Sequence, residues 1–194
     1  VNYDYTRSKI IIESIINEIQ NNNIDSKILS ESYYYIGVYH SLTRNVQEAI
    51  RYLNLCISLK DKKQDYDKCY GNALYNLGVI YCRLGDFSRH EDYSMRSLEI
   101  EKENYGSTSP LLISTYSSLI IAYIELQEYE KSMNFANMAL SIAANKSEVA
   151  NSLDLANIYN NLGGLYIRLA DYSKAKIYLE KSESIYKNNN LFLD

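Results

Sequence analysis

The chain has 194 residues, a formal net charge of −4 and a sequence pI of about 5.3, with 46% hydrophobic and 23% charged residues. These are ordinary values for a packed chain, so wholesale disorder is excluded, and without a dense Lys/Arg stripe there is no electrostatic footprint for nucleic acid or an anionic membrane. The cysteines, Cys56, Cys69 and Cys82, are too few and too spread for a disulfide framework and lack zinc spacing. They read as small buried hydrophobes in a reducing compartment.

In chain order, residues 7–20 carry an apolar stripe through Ile11, Ile12, Ile15, Ile16 and Ile19 and read as half of a helical pair. Four full pairs are expected at 30–60, 71–103, 111–143 and 155–187, within one continuous domain spanning 1–194. One phrase recurs in them: IGVYHSLTRNVQEAI at 36–50, LGVIYCRLGDFSRHE at 77–91, LIIAYIELQEYEKSM at 119–133 and LGGLYIRLADYSKAK at 162–176. With Gly37, Gly78, Ile120 and Gly163 as equivalent marks, the steps are 41, 42 and 43 residues. Such a period belongs to stacked repeats, in which each pair buries its apolar face against the next. Function is therefore sought on a surface.

Within a phrase, apolar positions recur at helical spacing, as in Leu74, Leu77, Tyr81 and Leu84, before a turn such as Gly85-Asp86. The glycine at its head is expected where the two helices of a pair cross, because Gly lets backbones approach closely. Ile120 should widen that crossing in the third pair. The first pair departs most, with His40 where Tyr81, Tyr123 and Tyr166 stand and Arg44-Asn45 in place of Gly85-Asp86.

Breaks between pairs are expected at 21–23, 61–67, 104–110 and 144–147. Pro110, the only proline, should start the first helix of pair three. A last helix through Tyr178, Leu179 and Ile185 is followed by Leu191-Phe192-Leu193, which reads as the entry to a further helix. Neither end shows a polar cap, so the chain reads as a section of a longer array, and its terminal helices are a candidate surface for self-association. No segment reaches the roughly 18 apolar residues of a membrane span, and the opening VNYDYTRSK has no signal-peptide pattern. The cytoplasm is thus favoured, with the periplasm open to a chain whose signal segment was removed.

These features resemble the tetratricopeptide repeat: a small residue after an apolar one, an aromatic three places on, a turn, then an aromatic and a small residue. The stretch from Ser97 to Ile142, with its linker EKENYG and the proline after it, is similar to the kinesin-light-chain-like variety with a period of 42 residues, in which an EK-x-x-G linker and a proline precede the next repeat. The resemblance covers residues 30–187. It implies an all-α, right-handed α-solenoid, a superhelix of helix-turn-helix repeats. It also implies a peptide- and protein-binding scaffold whose first helices line a concave groove.

By that register the groove carries Tyr34 beside Glu31 and Tyr35; then Asn72, Tyr75, Asn76, Val79 and Arg83; then Ser117 with Ser114, Ser118, Ile121 and Glu125; and finally Asn157, Asn160, Asn161 and Arg168. Asparagine offers both donor and acceptor, matching an extended peptide backbone, and Arg can pair bidentately with a carboxylate. The family resemblance implies groove asparagines at Asn76 and Asn161. Most of the 21 tyrosines, including Tyr81, Tyr123, Tyr129, Tyr166 and Tyr172, fall at packing offsets, whereas Tyr34 and Tyr75 could meet an apolar anchor of a ligand.

Nothing points to catalysis, a metal or a cofactor. His40 and His90 lie in different repeats, and His90-Glu91-Asp92 lacks the second histidine of a zinc-protease motif. Glu99, Glu101 and Glu103 read as solvated charges at a helix end. The expected function is a non-catalytic module that holds a protein or peptide. The alternative is the sensory or regulatory segment of a larger bacterial signalling protein, a sensor histidine kinase or transcription regulator with its effector domain removed.

Overall fold

A computed structural model describes residues 10–12, 14–18, 26–59, 68–145, 149 and 152–189. Residues 10–12 and 14–18 are helical. The rest form α1 (Ser26–Leu42), α2 (Val46–Ser58), α3 (Lys68–Arg83), α4 (Phe87–Tyr105), α5 (Leu112–Glu125), α6 (Tyr129–Asn145), α7 (Leu153–Arg168) and α8 (Tyr172–Asn188). No strand occurs among the described residues, and the all-α expectation is met. The tail Leu191-Phe192-Leu193 and the break at 61–67 lie outside the described residues, as do residues 7–9, 13, 19 and 20 of the expected half repeat 7–20. The chain forms two compact units, Val1–Ile80 and Tyr81–Asp194, each described below by itself.

Each hairpin turn uses one device. Arg44, Gly85, Gln127 and Ala170, seven residues after the marks, take positive φ of 62°, 74°, 61° and 57°. The following residue then donates its backbone N–H to a carbonyl five back: Asn45 to His40 at 2.9 Å, Asp86 to Tyr81 at 3.0 Å, Glu128 to Tyr123 at 2.8 Å and Asp171 to Tyr166 at 2.9 Å. This left-handed C-terminal cap satisfies carbonyls that a helix end would otherwise leave bare. Asp86 and Asp171 also cap the next helix, accepting from the backbone N–H of Arg89 at 3.0 Å and Lys174 at 3.1 Å. Only one of the four turns has the glycine that its backbone favours.

A second device locks the aromatic in each phrase. His40 on Tyr52, Tyr81 on Tyr93, Tyr123 on Phe135 and Tyr166 on Tyr178 stack with centroids 5.4–5.6 Å apart and planes within 6°. Each pair is twelve residues apart, so the first-helix ring always meets the same place on the second helix. Arg89, Lys131 and Lys174 lie over the rings of Tyr81, Tyr123 and Tyr166, at 4.2, 5.2 and 5.1 Å. His40 thus does the packing work of the tyrosines it replaces. Burial holds its imidazole below the ordinary histidine pKa.

In the first unit, α1 packs on α2. Ile36, Leu53, Ala73, Leu74 and Leu77 have no exposed surface. A Cβ on Gly37 would sit 2.8 Å from Leu53 Cγ and 3.2 Å from its backbone nitrogen, so the glycine is there for close approach. In the second unit the core runs through Leu112, Leu119, Ile120, Ala136, Ile158, Leu162 and Leu165. A Cβ on Gly163 would meet Leu179 at 2.6 Å. Sixteen residues after Gly37 and Gly163 stands leucine, but sixteen after Ile120 stands Ala136, and Ile120 and Ala136 are both fully buried. The bulky side chain has changed helix, and a small partner makes the room that Ile120 needs.

Several expectations are corrected. Pro110 precedes the helix as part of a turn in which Leu112 and Ile113 donate to the carbonyls of Ser109 and Pro110, and α5 begins at Leu112. Tyr172 is 68% exposed and is no core residue. Ser118 is buried, because His90 and Ser94 of α4 approach its hydroxyl. Glu101 is not a solvated charge: it accepts from Thr115 Oγ1 at 2.9 Å and Ser97 Oγ at 3.3 Å, while its Oε2 is buried with no partner. Burial pushes its carboxyl pKa up, against the two hydroxyl donors that lower it.

Candidate functional site

None of the eleven expected groove residues is buried, and several meet one another. In the first unit, Tyr34 on α1 is half-buried and edge-on to Tyr35, with centroids 5.2 Å apart. Burial, then the neighbouring Cys69 and Tyr35, raise its phenol pKa, and a hydrogen bond with the Asn76 side chain opposes the rise. Asn76 on α3 also donates Nδ2 to the Asn72 carbonyl at 2.8 Å. Asn72, Tyr75 and Val79 are half-buried on the same helix.

In the second unit, Asn161 on α7 donates Nδ2 to Ser117 Oγ at 2.9 Å and to the Ser117 carbonyl at 3.3 Å. Seven residues on, Arg168 reaches Glu125 with Nη2 at 3.1 and 3.4 Å from the two carboxylate oxygens. Asn157 accepts a 2.6 Å bond from the Tyr186 hydroxyl of α8. Asn160 and Arg83 are exposed. Glu125 lies near Cys82, whose thiol is pushed up mainly by burial and then by that carboxylate, with Arg83 opposing.

A rule emerges from the register. Asn76 and Asn161 stand two residues before their marks, and each bonds the residue three before the preceding mark, Tyr34 or Ser117. These asparagines therefore join successive first helices, and their side-chain carbonyls are what they can still offer a ligand. Sequence reasoning put both in the expected groove but missed this bond, since one helix read alone shows no partner 42 or 44 residues away. It also missed Tyr186, which sits on a second helix outside the inward register. A search for tyrosines one turn from the end of a hairpin's second helix could have found it.

Among the described residues no group of His, Cys, Asp and Glu could hold a metal ion. His90 and Ser118 approach to 2.7 Å, but the imidazole is 1% exposed, so this pair meets no substrate. No helix is long and apolar enough to cross a membrane among the described residues.

Comparison with known proteins fits this geometry. Residues 69–145, and residues 30–69 and 156–189, match the tetratricopeptide repeat. No curated protein matches the sequence significantly. Among solved structures, BtubC (BKLC) from P. vanneervenii is similar with a TM-score of 0.83 at 20% identity, covering 98% of this chain and 76% of that one. The nearly identical TPR-like repeats of a Podosopora anserina putative kinesin light chain give 0.78 at 14% identity, over 96% of this chain and 88% of that one. A Rap protein complexed with competence and sporulation factor gives 0.69 at 19% identity, over 92% of this chain but 48% of that one. At such identities the likeness is one of fold, the helical-repeat solenoid class, and that class is generally a non-catalytic scaffold for protein binding. With matched segments over most of its length, the chain belongs to the tetratricopeptide-repeat family.

Proposed function

We propose that this chain is a non-catalytic binding module that takes an extended peptide segment along the exposed faces of its first helices. The observation that carries the reading is the polar row aligned by α5 and α7, with Ser117 beside Asn161 and Glu125 beside Arg168, and with Asn160 exposed alongside. Fixed amide and hydroxyl groups at repeat spacing suit backbone N–H and C=O groups. Arg83 and Arg168 supply charge for an acidic side chain or terminus, and in the first unit Tyr75 and Val79 supply apolar contact. A Rap protein of similar fold is complexed with competence and sporulation factor, which supports a binding role for such a scaffold.

Displayed random peptides panned on the immobilised chain provide the test. Enriched peptides should bind the native chain and lose at least tenfold in affinity on Tyr75→Ala/Arg83→Ala/Asn160→Ala, a variant that spares the structural asparagines and keeps its helical circular dichroism. Absence of enrichment, or equal binding by the variant, overturns the reading. The 48% coverage of the Rap chain favours a second reading, in which these repeats are the input segment of a larger regulator. A native protein of 22.4 kDa, the mass of this chain, would exclude it.

A further inference from the structure

One residue past each repeat mark the chain carries a branched apolar side chain, Val38, Val79 and then Ile121, until α7, where Gly164 stands instead. The two adjacent glycines of α7 do different things. A Cβ on Gly163 would meet Leu179 at 2.6 Å, so that glycine serves the crossing, whereas a Cβ on Gly164 would meet nothing within 4 Å. Nor does Gly164 hold a positive φ, since it lies inside the helix, four residues before its end. A glycine there lowers helix stability relative to alanine, and neither packing nor backbone conformation accounts for it.

Two bonds bracket the notch it leaves. Ser117, Ile121 and Glu125 follow one another at four-residue spacing along α5, as Asn160, Gly164 and Arg168 do along α7, so each set forms one stripe. The two helices are tied at one end by Asn161 to Ser117 at 2.9 Å and at the other by Arg168 to Glu125 at 3.1 Å. Gly164 and Ile121 stand between these ties. Ile121 is half-buried although α7 packs beside its helix, so this position of a first helix stays open when a further hairpin follows. The notch thus belongs to the groove and not to a stacking face.

Its chemistry says what fits it. The floor is helix backbone whose N–H and C=O groups already bond one another, so an apolar side chain fits there and a polar one finds no partner. On the side of Asn160 and Asn161, an exposed amide and a side-chain carbonyl are available to a peptide backbone. On the other side Arg168 reaches Glu125 through Nη2, which leaves Nε and Nη1 for a second carboxylate. From Gly164 to Arg168 the helix rises about 6 Å, close to the roughly 6.8 Å between side chains two apart on an extended strand.

We propose that Gly164 is a specificity-determining position: its notch takes a bulky apolar side chain of an extended peptide whose acidic residue, two positions away, pairs with Arg168. This deepens the peptide-binding reading above and rests on it.

The probes are peptides enriched from a displayed random library on the immobilised native chain. They should share a branched or aromatic residue two positions from Asp or Glu. Gly164→Val, which fills the notch with the side chain that Val79 carries, should weaken them at least about tenfold, the equivalent of losing one buried apolar side chain. Truncating the peptide's apolar residue to alanine should cost the native chain as much and the Gly164→Val variant nothing further. Gly164→Ala should weaken binding while raising Tm by about 1–2 °C, an opposition that a glycine kept for packing does not give. Enriched peptides that lose affinity on Tyr75→Ala/Arg83→Ala/Asn160→Ala but bind Gly164→Val unchanged overturn this proposal and leave the broader reading standing. A lowered Tm in Gly164→Ala, or enriched peptides without the shared pattern, overturns it as well. Absence of any enrichment overturns both.

Discussion

The crossing of α1 with α2 and that of α7 with α8 use the same two residues, a glycine and a leucine sixteen positions later, yet they tolerate change differently. At the first crossing Leu53 has no exposed surface and its backbone nitrogen lies 3.2 Å from a Cβ placed on Gly37. At the last, Leu179 is 37% exposed, and the nearest backbone atom to a Cβ on Gly163 is 3.6 Å away. A clash with a buried side chain and a backbone must be absorbed by the helices, whereas one with a half-open leucine is absorbed by a rotamer. One sequence signature thus marks a strict requirement in one repeat and a preference in another.

The third crossing allows the comparison to be broken outright. Ala136→Leu puts the leucine of the first and last crossings opposite Ile120 instead of a glycine, in a site with no exposed surface. Overpacking should cost about 3 kcal/mol in urea unfolding. Adding Ile120→Gly should recover part of it, with a coupling above about 1 kcal/mol in the double-mutant cycle. Strictly additive effects would show that the two side chains do not share one space.

The two glycines give the next largest difference. Gly37→Ala should destabilise by about 2 kcal/mol, and Gly163→Ala by less than about 1, because the helix preference for alanine offsets a clash that Leu179 can relieve. Equal losses would mean that exposure at Leu179 does not translate into freedom to move.

At the second pair the position sixteen after the mark is Ser94, which joins Ser118 and His90 in a polar cluster. Burial holds His90 at a pKa of about 4 from an ordinary 6.5, and its Nδ1 has no partner. The folded pKa lies below the unfolded one, so the unfolded chain binds the proton more readily. The contribution is fully present above pH 6.5, falls as pH drops from 6.5 to 4, and is gone below, with about 2 kcal/mol lost by pH 5. Urea midpoints at pH 7 and 5 should differ accordingly, and His90→Gln should flatten the difference. An unchanged slope in that variant would place the titration elsewhere.

These contrasts also mark what the sequence could convey. The repeat, its turns and the glycine crossings were legible because they recur at fixed spacing, and His40 is now seen to obey the same stacking rule. The exchange of bulk between Ile120 and Ala136 was written in the sequence too, but it needed both helices read together. The burial of Ser118 and Glu101 was not legible. A serine on an inward register looks the same whether it faces solvent or a histidine from the preceding helix, and a carboxylate at a helix end gives no sign that Thr115 and Ser97 await it. At the candidate site the repeat register suggested a face, while the bonds between repeats depend on which side chains span the gap.

The smallest effect lies in the turns, where the four repeats share one backbone but not one residue. Arg44, Gln127 and Ala170 hold positive φ without glycine, and Gly85 holds it with one. An L-residue there is strained by about 1 kcal/mol, while glycine loses more freedom on folding, so the net gain from Ala170→Gly should be about 0.5 kcal/mol. In a chain of this length that amounts to roughly 1–2 °C in Tm. Gly85→Ala should move Tm the other way by a similar amount, since nothing lies within 4 Å of the added Cβ and only backbone strain opposes it. If Ala170→Gly instead lowers Tm while Gly85→Ala leaves it unchanged, the cap's hydrogen bond from Asp171 to Tyr166 at 2.9 Å must hold the turn regardless of residue. The glycine would then be a choice of sequence and not of strain.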